Sequence, residues 1–136
     1  QGFSVTGIDR DPAALAAAQA WGQVIEADIE SGPWPLAGQR FGAVVVTHYL
    51  WRPLLPAILD AVAPGGVLIF SCEHGDVTGP DSQLQPFGRY THTLSSTVRL
   101  AKAAGFDRVE TKDVDLRLEM GQPVDGFLVT AFKPKA

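Results

Sequence analysis

The chain has 136 residues, 46% of them hydrophobic and 19% charged, with a formal net charge of −4. That balance suits one globular domain and excludes a disordered chain; a chain of this size can bury roughly two-thirds of its unfolded surface without staples. Lysine and arginine are scattered rather than clustered, which argues against a nucleic-acid footprint, and no apolar run approaches the roughly 18 residues of a membrane span.

Phe3-Ser4-Val5-Thr6-Gly7-Ile8 alternates and ends at Asp9, as a strand does. Asp11 can cap a helix and Pro12 suits its first position. Ala13 to Trp21 is rich in the best helix former, and Gly22 ends the run. Gln23 to Ala27 reads as a second short strand, ending at Asp28. Ser31-Gly32-Pro33-Trp34-Pro35 cannot continue a regular element. Phe41 to Thr47 contains Val44-Val45-Val46, a run suited to a strand buried on both faces of a parallel sheet. Arg52 to Val62 predicts a helix with Leu54, Leu55, Ile58, Leu59 and Val62 on one face, starting firmly at about Pro53 or later. Ala63-Pro64-Gly65-Gly66 is a stop and turn. Val67 to Cys72 is another buried strand.

Glu73 to Thr93 is polar and rich in glycine and proline; its length predicts a functional loop. Leu94 to Ala104 predicts a helix, capped near Ser95 or Ser96 and ended by Gly105. Arg108 to Leu118 and Gly126 to Phe132 read as strands. Met120-Gly121-Gln122-Pro123 joins them in too few residues for a crossover helix, so they should pair antiparallel. The order predicts a Rossmann-like α/β fold in one domain spanning 1–136. Its mostly parallel sheet is flanked by helices and closes in a C-terminal antiparallel pair.

Ligands of open α/β sheets bind at the carboxyl ends of strands. Asp9 ends one strand, where a carboxylate can accept hydrogen bonds from a ribose diol; the bland alternative, a helix cap, is already filled by Asp11. Asp28 ends the next, where it can accept from an adenine amino group with Ala27 and Ile29 beside the ring, or be a solvated loop aspartate. Thr47-His48-Tyr49-Leu50-Trp51 follows the valine strand. His48 can act as a base near neutral pH, and Tyr49 and Trp51 can wall a flat ligand or pack a helix. Glu73 and His74 follow the next strand and can make an acid–base pair. His48, Glu73 and His74 fit no compact metal spacing, so no metal is expected. Tyr90, in Arg89-Tyr90-Thr91-His92, can close over a substrate or anchor its loop. Cys72 is the single cysteine, so no internal disulfide forms. The opening Gln1-Gly2-Phe3 does not resemble a signal peptide. Both observations predict a cytoplasmic protein.

Ile8-Asp9-Arg10-Asp11-Pro12, Ala27-Asp28-Ile29, Phe41-Gly42-Ala43-Val44-Val45-Val46 and Ala63-Pro64-Gly65-Gly66-Val67-Leu68 occur here in an order that resembles class I S-adenosylmethionine-dependent methyltransferases. Gly32-Pro33-Trp34-Pro35 through Leu54-Leu55 is similar to small bacterial members of that family. Gly88-Arg89-Tyr90 through Leu128-Val129 resembles predicted methyltransferases associated with tetratricopeptide repeats. The resemblance implies S-adenosylmethionine as cofactor, bound by Asp9, Arg10, Ala27, Asp28, Ile29 and Thr47. It also implies a small-molecule methyl acceptor near Tyr49, Trp51, His74 and Tyr90, with His48 or Glu73 as the proton acceptor.

The family opens with a strand and a Gly-x-Gly-type loop for the methionine part of the cofactor. This chain is expected to lack both, and Gly7-Ile8-Asp9 is no substitute. Without that central strand, the strands ending at Asp9 and containing Val44-Val45-Val46 have unpaired edges. They can pair directly, or the chain can form a homo-oligomer or exchange a strand through the exposed sheet edge; the apolar valine run favours the second. The functional alternatives are a module that holds S-adenosylmethionine or S-adenosylhomocysteine without turnover, and a structural remnant that oligomerises.

Overall fold

The computed structural model describes residues 3–46, 52–75, 78–84 and 90–135. Within them the chain forms two compact units, Gln1–Gly38 and Gln39–Ala136.

The smaller unit is a βαβ segment. Strand β1 (Thr6–Asp9) and strand β2 (Gln23–Glu26) pair in parallel, with Asp9 opposite Glu26. Helix α1 (Pro12–Ala18) connects them. Its start follows from the sequence: Pro12 needs no amide partner at the first turn, and the Asp11 carboxylate accepts from the Ala13 amide at 3.0 Å. The helix is shorter than its alanine content suggests. Leu15 is its one buried residue, so little apolar burial supports a further turn, and Trp21 stands exposed. The ladder continues past the strands, since the Ala27 amide donates to the Asp9 carbonyl at 3.1 Å.

The larger unit is built on strand β4 (Val62–His74). Strand β3 (Phe41–Val46) pairs with it in parallel along Val62 to Phe70. Where β3 stops, β6 (Tyr90–His92) takes up the ladder in parallel at Glu73 and His74, and β5 (Ser82–Leu84) pairs antiparallel with β6. Along Val67 to Glu73, β4 also pairs antiparallel with β8 (Gln122–Phe132), and β8 pairs antiparallel with β7 (Arg108–Glu119). The expected terminal antiparallel pair is present. Its two-residue turn, Met120-Gly121, has φ of 49° and 78°, the double left-handed geometry that matches the twist of a hairpin. The sheet is mixed.

Alternation along β4 and β8 separates two faces. Leu68, Phe70 and Cys72 of β4 and Phe127, Val129 and Ala131 of β8 are buried, and directly paired residues share that face. Helix α2 (Leu55–Asp60) packs against β4, and helix α3 (Leu94–Ala103) against β7 and β8. On the other face Val67, Ile69, Leu128 and Thr130 are only half-buried.

Five expectations need correction. Val44-Val45-Val46 is not buried on both faces: Val45 is 62% exposed, because β3 pairs with β4 alone among the described residues. The helix expected through Val62 ends at Asp60, after a 3-10 turn at Arg52–Leu54. Lys133 Nζ donates to the carbonyls of Leu59 at 3.3 Å and Val62 at 2.8 Å, giving partners to the chain at that helix end. The expected turn at Ala63–Gly66 is a distortion within β4, where Gly65 takes φ of 80° and its amide donates to the carbonyls of Lys133 and Pro134. The expected loop from Glu73 carries the end of β4 and both β5 and β6. Helix α3 is capped by Thr93, whose hydroxyl accepts from the Ser96 amide at 3.3 Å, rather than by Ser95 or Ser96.

Strand β7 gains a residue between Asp115 and Arg117, so the ladder passes from Asp115–Asp125 to Arg117–Val124. The extra residue, Leu116, lies across Gly126. A Cβ on Gly126 would sit 2.5 Å from the Cys72 carbonyl oxygen and 2.6 Å from the Leu116 side chain. Gly126→Ala is therefore expected to destabilise the fold by about 1–3 kcal/mol, the usual cost of overpacking. Because the clash with Cys72 is to backbone, Leu116→Ala in the same chain will restore only part of the loss. Urea unfolding midpoints of the wild type and the two variants check both points.

Candidate functional site

In the smaller unit, β1 and β2 run in parallel and deliver Asp9 and Asp28 at the same carboxyl edge. Asp9 is exposed, and its Oδ1 accepts from the Asp11 amide at 3.0 Å, which orients the carboxylate at the strand end. Asp28 Oδ1 accepts from the Glu30 amide at 3.1 Å. That bond, with the Ser31 hydroxyl next, holds the Asp28 carboxyl below the ordinary carboxylate range; desolvation opposes this, and the Arg10 charge adds less than either hydrogen bond. Ala27 and Ile29 flank it, both half-buried. The edge thus presents two outward carboxylates with a partly apolar margin. Such a set suits a group that offers hydroxyl and amino hydrogens beside a flat ring, as the adenosine half of S-adenosylmethionine does.

In the larger unit, the carboxyl end of β4 carries Glu73 and His74 and sends them to opposite faces, as adjacent strand residues must go. The structure therefore does not bring them together as a pair. Glu73 is buried, 9% exposed, and its carboxylate is hydrogen-bonded by the Arg117 guanidinium. Arg117 Nε also bonds Glu119 at 3.1 Å. Burial works against the Arg117 charge, but these two carboxylates outweigh it and raise the Arg117 pKa. The bulge makes this contact possible. In unbroken alternation Leu116 would oppose Val124 and Arg117 would fall on the other face; the bulge instead sets Arg117 opposite Val124, on the Gly126 face, which is that of Glu73. Arg117 was not expected from the sequence, and no local signal marks a bulge there.

His74 Nε2 lies 2.9 Å from Asp113 Oδ1, and its ring packs on Phe127 with centroids 4.9 Å apart. Asp113 is a second residue that sequence reasoning missed. Thr47, His48, Tyr49 and Trp51 lie outside the described residues, as does the side chain of Tyr90; the Tyr90 backbone begins β6.

No protein-family model and no curated protein matches the sequence. Solved structures do match. A S-adenosylmethionine-dependent methyltransferase from Methanosarcina mazei is similar with a TM-score of 0.64 at 18% identity, over 99% of this chain and 84% of that one. The 1,6-didemethyltoxoflavin-N1-methyltransferase of Burkholderia thailandensis, solved with 1,6-didemethyltoxoflavin and S-adenosylhomocysteine, gives 0.67 at 20% identity, over 98% of this chain and 63% of that one. The [4+2]-cyclase SpnF gives 0.73 at 18% identity, over 100% of this chain and 68% of that one. The chain has the fold of the class I S-adenosylmethionine-dependent methyltransferases. Because one of these neighbours is a cyclase, the fold by itself does not fix the reaction.

The Asp28 geometry makes a testable statement about pH. A carboxyl whose folded-state pKa is lowered adds stability above its ordinary range, and that stability is lost as pH falls through the lowered value. Asp28 is expected to titrate below ordinary carboxylates in a ¹³C NMR titration, and Ser31→Ala to move it back upward. An unmoved titration in Ser31→Ala would remove the hydroxyl from the account.

Proposed function

We propose that the protein is a S-adenosylmethionine-dependent methyltransferase acting on a small-molecule acceptor. The observation that carries this reading is the pair of carboxylates, Asp9 and Asp28, at one edge of a parallel strand pair in a chain with this fold. In the proposed complex Asp9 accepts from the ribose hydroxyls and Asp28 from the adenine amino group, with Arg10, Ala27, Ile29 and Thr47 beside them. S-adenosylmethionine, when bound, supplies an electrophilic methyl carbon whose bond to sulfur breaks with its electron pair staying on sulfur. Direct displacement of this kind depends on alignment more than on elaborate chemistry. The acceptor side is assigned to the carboxyl ends of β3 and β4, with His48, Tyr49, Trp51, Glu73, His74 and Tyr90. A neighbour holding 1,6-didemethyltoxoflavin supports a small acceptor. The proposal treats residues 1–136 as one working domain with a Rossmann-like strand arrangement. Cys72 is buried, which suits a reducing, cytoplasmic setting, and no described helix is long and apolar enough to cross a membrane.

Calorimetric titration with S-adenosylmethionine and S-adenosylhomocysteine tests the reading. Both are expected to bind, and Asp9→Ala to bind about tenfold or more weakly, the loss that follows removal of charge-assisted bonds. Unchanged affinity in that variant would sink the Asp9 assignment. Binding with no S-adenosylhomocysteine formed across acceptor panels would favour a non-catalytic module, and no binding would refute both.

Self-association is proposed through β3, whose ladder uses one edge and whose Val45 is 62% exposed. A second copy pairing at that edge would give partners to its backbone groups. Sedimentation over a concentration series is expected to show a dimer or larger species, weakened by Val45→Lys. A strict monomer at every concentration rejects this.

A further inference from the structure

A groove between α2 and α3 lies apart from Glu73 and His74. Helix α3 ends in two small residues, Ala103 and Ala104, and Gly105 then takes φ of 113°. The Gly105 amide donates to the Lys102 carbonyl and the Phe106 amide to the Ala101 carbonyl, a left-handed helix stop that carries the chain back beneath the last turn. Phe106 is thereby buried and forms the floor with Leu55 of α2. Leu59 of α2 and Leu100 of α3 are half-buried and make the walls. Because the two alanines reach no further than a methyl group, the helices leave about 560 Å³ between them. That is the size of a small-molecule site.

This apolar groove carries one charge that its surroundings do not balance. Lys133 lines it, half-buried, and its Nζ donates to the Leu59 carbonyl at 3.3 Å and the Val62 carbonyl at 2.8 Å. An ammonium has three hydrogens, so one remains. Both partners are neutral, and among the described residues no carboxylate pairs with Lys133. Asp60, the acid at the rim, is exposed and pairs with Arg40 at 3.4 Å. A half-buried cation attracts an anion more strongly than a fully solvated one does. One hydrogen and one charge match a monoanion. A phosphate dianion would bring more charge than Lys133 offsets and would meet Asp60 as a like charge.

We propose that this groove binds a small amphipathic carboxylate. Its hydrocarbon body lies on Phe106, Leu55, Leu59 and Leu100, and its carboxylate accepts the remaining Lys133 hydrogen. The site lies wholly in the larger unit and at the amino end of β4, since the Lys133 amide also donates to the Gly66 carbonyl. Glu73 and His74 stand at the other end of that strand, on the order of 20 Å away at strand spacing. The ligand is therefore not the methyl acceptor, and the proposal does not rest on the methyltransferase reading. Occupancy bears on the end of α2, because the same ammonium gives partners to the carbonyls there.

The full chain, methyl-labelled, is titrated with sodium hexanoate and followed by ¹H–¹³C NMR, with 1-hexanol and acetate as controls. Hexanoate is expected to shift the Leu55, Leu59 and Leu100 methyls saturably, with a Kd of about 1 mM or below. Hexanol keeps the body and loses the charge, so it should bind about tenfold more weakly; acetate should leave these methyls unmoved. Lys133→Gln keeps an amide donor for the two carbonyls and removes the cation. It is expected to bind hexanoate about tenfold more weakly and hexanol unchanged. Ala103→Trp, at an exposed position, fills the groove and should abolish binding while the rest of the spectrum is retained, so the test stands even if Lys133→Gln does not fold. Hexanol binding as tightly as hexanoate, hexanoate shifts confined to other methyls, or no shift at about 10 mM each overturns the proposal. Shifts of the Leu59 and Leu100 methyls with protein concentration, in the absence of ligand, would give the groove to a second copy and overturn it as well.

Discussion

Val67 to Glu73 of β4 pair residue for residue with Phe132 to Gly126 of β8, and the larger unit takes its directions from that ladder. Each backbone group buried in it needs a partner, so the register is held firmly. The register then decides the faces. Leu68, Phe70 and Cys72 go to the buried face with Ala131, Val129 and Phe127, while Glu73 and His74 at the strand end diverge. A slip of one residue would exchange their environments and put the apolar set where the half-buried face now stands.

The hairpin that extends this ladder uses one irregularity to large effect. The bulge at Leu116 keeps Arg117 opposite Val124 on the face of Glu73, and Gly126 leaves room for Leu116 to lie across the strand. A buried ion pair is weak evidence for stability, because desolvation of both charges offsets much of their attraction. Its value here is directional. The guanidinium bridges β4 and the hairpin end through Glu73 and Glu119, and so holds the hairpin in one orientation relative to β4. Asp113, three residues before the bulge, keeps the undistorted register and faces the other way, toward His74.

The two groups of candidate residues, one in each unit, have different physical characters. Asp9 and Asp28 are exposed carboxylates oriented by neighbouring backbone amides, so they are shaped locally and remain available to a polar ligand. Glu73 and His74 are shaped by residues far away in sequence, Arg117 and Asp113. A fold that supports both methyltransferases and a cyclase leaves the reaction to such side-chain placements.

Features set by neighbours in sequence were legible in the sequence alone. The Asp11 cap, the Pro12 start, the strands ending near Asp9 and Asp28 and the tight β7–β8 hairpin each depend on a few adjacent residues, and the structure contains them. The α/β class with a closing antiparallel pair was legible for the same reason, since alternation of strand and helix signals is a property of the chain; the mixed pairing of the sheet was not. The rest depended on tertiary partners. Glu73 to His92 reads as loop because it is polar and rich in glycine and proline, yet ladders to β8 and β6 draw Glu73, His74 and Tyr90–His92 into strands. Val44-Val45-Val46 reads as doubly buried, but burial depends on what lies beside a strand, which composition does not state. Arg117 and Asp113 carry no signal of their own. The bulged pairing at Leu116 chose the face of one, and the width of one strand set the reach to the other; both are relations between segments that only the folded sheet defines.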